Sequence, residues 1–222
     1  IRLSLVGSEM CIRDRYLTMP EGTSEVEYYL THKIGDFHKH KDKNTWDHYL
    51  EYEYGLTDHW DIAVYQTWRH TNTKTDDKFE YNGSKFRTRY RIGEKNQLPL
   101  DVLLYGEYIL PDGSDDAHKI EAKLILAKDI GKWNFAYNQI YEKEINNGDD
   151  LEHGYAAGFN YEFSPTWRLG LESTGNYTED KFYAGPTVSF ASEKYWVNVG
   201  ALRGLNDRSD DLQFRMIIGI PF

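Results

Sequence analysis

The chain has 222 residues and a formal net charge of −10 at pH 7, and it is rich in Tyr (18), Gly (18), Phe (10) and Trp (6). Its mean hydropathy is −0.72, and no apolar run approaches the roughly 20 residues a membrane-spanning helix needs, which excludes a helical membrane protein. The single cysteine, Cys11, excludes an intramolecular disulfide. Low average hydropathy leaves a transmembrane barrel open, because only alternate residues of such a wall touch lipid.

Residues 1–15 (IRLSLVGSEMCIRDR) show no strand alternation, and their apolar run, Leu3 to Val6, is too short for the core of a secretion signal. The stretch resembles translated sequencing-adapter sequence. The expectation is an unstructured, non-native leader standing where a signal peptide has been lost, followed by one domain over 16–222.

From Tyr16 onward, apolar and polar residues alternate with period two in segments of about ten residues, the length of a tilted strand crossing a bilayer. The pattern predicts twelve strands, at 24–33, 45–56, 59–70, 84–93, 98–110, 117–128, 131–142, 153–163, 166–175, 181–190, 195–204 and 211–222. Five connectors read as short and six (34–44, 71–83, 111–116, 143–152, 176–180, 205–210) as longer and more polar, with every long one at the same end. Short turns at one end and longer loops at the other are the habit of outer-membrane barrels, whose turns are periplasmic and whose loops are external.

One face of each strand is apolar. Trp46, His48, Leu50, Tyr52, Tyr54 and Leu56 share a face in the second segment, Trp60, Ile62, Val64, Gln66 and Trp68 in the third, and Trp133, Phe135 and Tyr137 in the seventh. Their aromatics gather toward strand ends, where amphipathic rings settle at lipid–water interfaces. The same alternation fits a soluble sandwich or lipocalin-like barrel with its apolar face inward, so parity alone does not choose. The last segment does. Leu212, Phe214, Met216, Ile218, Ile220 and Phe222 make an unbroken apolar face that a soluble edge strand rarely carries.

A terminal aromatic with apolar residues at every second position before it, here Phe214, Met216, Ile218, Ile220 and Phe222, resembles the C-terminal signal by which bacterial outer-membrane barrels are recognised for assembly. That resemblance implies a bacterial outer-membrane location, with membrane lipid, lipopolysaccharide and the barrel assembly machinery as partners. The run YEYGLTDHW (52–60) followed by IAVYQTW resembles a pattern in outer-membrane proteins grouped with the MetA-like, phenol-degradation-pathway transporters. Membership would imply passage of small hydrophobic or aromatic compounds.

The inward faces carry a basic column, Lys85, Arg87, Arg89 and Arg91, at alternate positions of one strand. With the following turn centred near Lys95 and Asn96, Arg91 would face Asp101 and Lys85 would face Glu107, leaving Arg87 and Arg89 beside Leu103 and Tyr105. Glu51 and Glu53 would lie two strands away, across Ala63 and Tyr65. The column reads either as a salt-bridge lattice bracing a narrow lumen or as a cationic track for anions.

The eight histidines include the alternating pair His38 and His40, but Lys39, Lys41 and Lys43 beside them oppose a cation, so a solvated loop is expected and no metal site or cofactor. Asp112 to Asp116 (DGSDD) lacks the length and ligand order of a calcium loop. A hydrolase would need a nucleophile, a base and an orienting group on neighbouring positions. By parity Ser173 and His48 face lipid and inward Ser189 has no His near it, so no enzyme is expected, and no nucleic-acid surface. The sequence therefore predicts a narrow pore or passive transporter for small solutes, or else a plugged barrel that acts through its external loops.

Overall fold

The computed structural model describes residues 16–36, 41–113, 116–145 and 151–222. Twelve antiparallel strands close into one barrel: β1 (Ser24–Asp36), β2 (Lys41–Thr57), β3 (Trp60–Asn72), β4 (Asp77–Ile92), β5 (Asp101–Leu110), β6 (Lys119–Ile130), β7 (Trp133–Glu144), β8 (Leu151–Glu162), β9 (Trp167–Asn176), β10 (Lys181–Ala191), β11 (Trp196–Gly204) and β12 (Leu212–Pro221). Each strand pairs with its neighbours in sequence, and β1 closes on β12 from Glu25↔Pro221 to Ile34↔Leu212. The backbones of Ser24 and Phe222 exchange two hydrogen bonds, at 2.9 and 3.1 Å, so both ends of the wall meet at the turn end. Closure removes the unpaired edges that period-two apolar strands would otherwise expose.

The observed strand boundaries shift three of the expected connectors, the first being 34–44, which shortens because β1 runs to Asp36 and β2 begins at Lys41. Much of the loop predicted over 71–83 is a paired hairpin, with Asn72 opposite Asp77 and only Thr73 to Asp76 between. A bulge at Thr67/Trp68 shifts its register by one residue, passing over Asn82; beside it Gly83 sits at φ 115° and its carbonyl accepts the Thr67 hydroxyl at 2.9 Å. At the other end, the β4–β5 turn spans 93–100, longer than expected, with Gly93 and Asn96 at positive φ. His38 and His40, and the middle of the Asp112–Asp116 loop, lie outside the described residues.

Outward side chains form the expected belt. Leu50, Ile62, Leu104, Leu124, Leu169 and Val199 are exposed along the wall. Trp60, Tyr90, Trp133, Phe163 and Trp167 are exposed toward the turn end, and Phe79, Tyr141 and Tyr177 toward the loop end. Exposed apolar surface on this scale has no stable solution in water and is the surface a bilayer covers. The structure thus resolves the ambiguity of parity: the apolar faces point out and the polar faces in.

The interior is filled rather than hollow at the middle of the wall. Every strand contributes a buried inward side chain there, among them Glu27, Glu51, Arg87, Ile125, Asn138, Thr187 and Ile217. Two apolar clusters lie within the bore. One joins Tyr29, Ala63, Tyr65, Trp196 and Ile217; the other joins Leu103, Tyr105, Ile125, Ala136 and Ala156 to Tyr16.

Tyr16 comes from the segment before β1, which enters the turn-end mouth. Thr18 Oγ1 donates to the Asp58 carbonyl at 2.7 Å, Met19 N to Asp61 Oδ2 at 3.1 Å, and Gly22 N to the Gly55 carbonyl at 2.9 Å. Tyr16 and Met19 are buried. A Cβ at Gly55 would fall on the Pro20 carbonyl oxygen, so glycine there admits this strap. The glycine of YEYGLTDHW therefore serves a close approach of backbone rather than the bend of its own turn.

Candidate functional site

Positions 85, 87, 89 and 91 all point into the bore, because β4 alternates strictly below the Gly83 bulge. Their partners differ from the expected ones by two residues. The ladder sets Lys85 opposite Ile109, Arg87 opposite Glu107, Arg89 opposite Tyr105 and Arg91 opposite Leu103. The longer 93–100 turn causes the offset. Within it, Asp101 accepts the Asn96 amide at 2.6 Å instead of meeting Arg91. Arg91 donates to Glu94 at 3.2 Å and to the Asp58 carbonyl at 2.9 Å. Lys85 still reaches Glu107, diagonally, at 2.8 Å.

Arg87 and Arg89 both stand in buried ion pairs, contrary to their expected isolation. Arg87 lies 2.7 Å from Glu51, 2.8 Å from Glu53 and 3.6 Å from Asp61. Arg89 Nε and Nη2 donate to the Asp61 carboxylate at 2.6–3.1 Å, and Nη2 also meets Glu53. Ala63 stands between Glu53 and Arg87 in the register, and its small side chain lets the guanidinium cross β3. Tyr29 donates its hydroxyl between Glu27 and Glu51, the latter at 2.8 Å, while Trp196 Nε1 donates to Glu25. These acids and arginines are almost wholly buried. Charges so deprived of water persist only when paired and hydrogen-bonded.

Asp61 and Tyr29 are central to this lattice and escaped the sequence reading. The signal was available for Asp61, which alternates with outward Trp60 and Ile62 and so had to face inward.

Above the lattice the bore widens toward the loop end into a cavity of about 360 Å³. Its walls come from β1, β2, β6–β10 and β12, opposite sides of the barrel. Lys33 meets Asp47 at 3.0 Å, and Arg69 donates to the other side of the same carboxylate at 2.6 Å. Lys123 meets Glu121 at 2.9 Å, Lys181 meets Glu179 at 2.6 Å, and Arg215 meets Glu172 at 2.5 Å. Tyr49, Ile140, Ala156 and Tyr183 add rings and aliphatic surface.

The serines and histidine weighed for catalysis are engaged elsewhere. Ser173 bonds the Tyr155 hydroxyl at 2.9 Å and donates to the Tyr183 carbonyl at 3.0 Å; His48 bonds the Tyr28 hydroxyl at 2.7 Å; Ser189 accepts from Asn198 at 2.8 Å. On the outer wall near the loop end, Trp46 is sandwiched between His32 at 4.4 Å and His70 at 4.8 Å, so these imidazoles serve as girdle rings. Phe214 and Ile220 are exposed on the same outer wall, and Phe222 packs 6.3 Å from Tyr52. Met216 and Ile218 lie between them on that face, at the seam with β1.

No protein-family model matches the chain, and no curated protein matches it. Its fold has solved counterparts. An outer-membrane channel from Pseudomonas putida F1 superposes with a TM-score of 0.71 at 14% identity, over 95% of this chain and 99% of that one. A KdgM porin, solved in complex with disordered oligogalacturonate, gives 0.62 at 10% identity over 89% and 99%, and a NanC porin 0.55 at 11% over 90% and 98%. The fold is that of the twelve-stranded barrels of bacterial outer membranes, and the resemblance read in the sequence to an outer-membrane transporter family is consistent with it.

Proposed function

We propose that this barrel is an outer-membrane pore for small solutes whose bore is shut, in the conformation described, by the ion-pair lattice and the strap at the turn end. One observation carries the reading: a charge-lined cavity occupies the loop-end half of the bore, directly above the buried layer that blocks it. The shared fold with an outer-membrane channel supports the same reading, as does the strand number, intermediate between filled eight-stranded and wide sixteen-stranded barrels. Because Arg87 and Arg89 are matched by Glu51, Glu53 and Asp61, the lattice braces the bore and gives it little preference for anions.

The buried layer also favours a second reading, a plugged barrel acting through its loops. Planar-bilayer recording separates the two. The pore reading expects small or rare openings from the unaltered chain, and larger or more frequent ones after Tyr16→Ala with Met19→Ala, which loosens the strap. Silence from both proteins, each verified as folded, would favour the plugged barrel.

A further inference from the structure

We infer that the loop-end cavity binds a small, uncharged, hydroxyl-rich solute of about monosaccharide size; its use as cargo rests on the pore reading, but its binding does not. The volume of about 360 Å³ lies at the low end of the range for small-molecule pockets, roughly 300–1,000 Å³, so one compact solute fills it.

The lining decides the chemistry. Each cation facing the cavity stands beside a carboxylate: Lys33 with Asp47, Lys123 with Glu121, Lys181 with Glu179, Arg215 with Glu172. An anionic solute could take only the N–H donors that a paired cation has left, and in doing so would stand against the carboxylates already beside them, Asp47, Glu121 and Glu179. An aromatic solute such as phenol, of the kind implied by the sequence resemblance, would strip water from these pairs and return hydrogen bonds through one hydroxyl at most, which costs a few kcal/mol per polar group left unsatisfied.

A hydroxyl group has neither defect, because it donates and accepts. An ammonium offers three donors and a carboxylate about four acceptor sites, so one ion pair leaves both members able to bond further. The Lys33–Asp47 pair, whose carboxylate is buried and also held by Arg69, thus presents chiefly its ammonium, while Lys181–Glu179 presents a donor and an acceptor 2.6 Å apart. That alternation suits adjacent hydroxyls, one accepting from the ammonium and the next donating to the carboxylate. The first pair sits on β1 and β2; the second lies at the β9–β10 connection on another arc of the wall. A solute between them is held from two sides. Tyr49 and Ile140 offer less polar wall to the C–H surface of a sugar ring.

The test is calorimetric binding to the full chain folded in detergent, with glucose, sodium gluconate and phenol as probes, followed by liposome swelling in the same solutes. Glucose should bind saturably, and gluconate and phenol at least tenfold more weakly. Lys33→Met with Asp47→Leu should weaken glucose at least tenfold. Lys181→Met with Glu179→Leu, at exposed positions where folding is not at stake, should do so as well. Gluconate or phenol binding as tightly as glucose, or glucose binding unchanged in the second double variant, would overturn the inference. Saturable glucose binding without swelling, in the unaltered chain and equally in the Tyr16→Ala, Met19→Ala variant with its loosened strap, would leave it standing and remove the pore reading. Swelling in glucose without saturable binding would do the reverse.

Discussion

Arg87 on β4 reaches across Ala63 of β3 to place its guanidinium 2.7 Å from the Glu51 carboxylate on β2. An ion pair thereby links strands that are not hydrogen-bonded to each other. Removing one partner of a buried pair leaves the other uncompensated, at a cost of about 3–5 kcal/mol. Arg87→Met strands Glu51 and also weakens the setting of Glu53, so it should lower the urea midpoint of the detergent-folded barrel substantially. Glu51→Gln should cost less, since Glu53 and Asp61 still hold Arg87. Equal, small effects of the two changes would show that the lattice does not brace the wall.

Ala63 is the gap through which that contact passes. Ala63→Leu fills it with a branched side chain, and overpacking of this kind costs about 1–3 kcal/mol. The variant should also behave non-additively with Arg87→Met, because both act on one contact. A double-mutant cycle of unfolding midpoints measures this, and strict additivity would contradict the geometry.

The strap gives a third expectation. Gly55→Ala drives a Cβ into the Pro20 carbonyl, so residues 16–23 should detach while the barrel stays closed. A thiol introduced as Thr18→Cys, buried in the parent, should then react with a maleimide at least tenfold faster. No change in the labelling rate would mean that the strap tolerates the extra carbon.

The fold was legible because lipid and lumen enforce one pattern on every strand: mostly apolar residues at alternate positions, from Val26 on β1 to Ile220 on β12, marked both strand number and facing. The site was only half legible. Parity placed Arg87 and Arg89 inward, but their ladder neighbours on β5 depended on the length of the 93–100 turn, which set Arg87 rather than Lys85 opposite Glu107, and the acids that pair with them, Glu51, Glu53 and Asp61, come from the other side, on β2 and β3. Nothing periodic marks Tyr16 to Thr23, whose place is set by hydrogen bonds to Asp58, Gly55 and Asp61. A segment held by contacts from distant parts of the chain leaves no local trace.

Phe222 separates a targeting role from a packing one. Its side chain is 69% exposed, yet its backbone is bonded to Ser24. Phe222→Ala keeps those backbone bonds, so refolded stability should fall by less than about 1 kcal/mol, the usual cost of an exposed side chain. Assembly in cells should fall several-fold if the terminal aromatic is read by the assembly machinery. Equal losses in both measurements would make the ring a packing residue only.

The barrel as a whole should migrate differently on a denaturing gel before and after boiling, because twelve closed strands resist detergent until heated. Identical mobility would be incompatible with a closed membrane barrel.

The bonds between Ser24 and Phe222 also make the wall a ring in which the starting strand is arbitrary. A short linker between these neighbouring ends, with a new opening cut at the Gly131–Lys132 turn, would give a circular permutant that keeps every ladder except the β6–β7 turn closure. Such a chain would carry the Phe214–Phe222 face in its interior and end instead on β6 at Ile130. Comparing its refolding with its assembly in cells would show whether assembly depends on this stretch lying at an open end of the wall or only on its sequence.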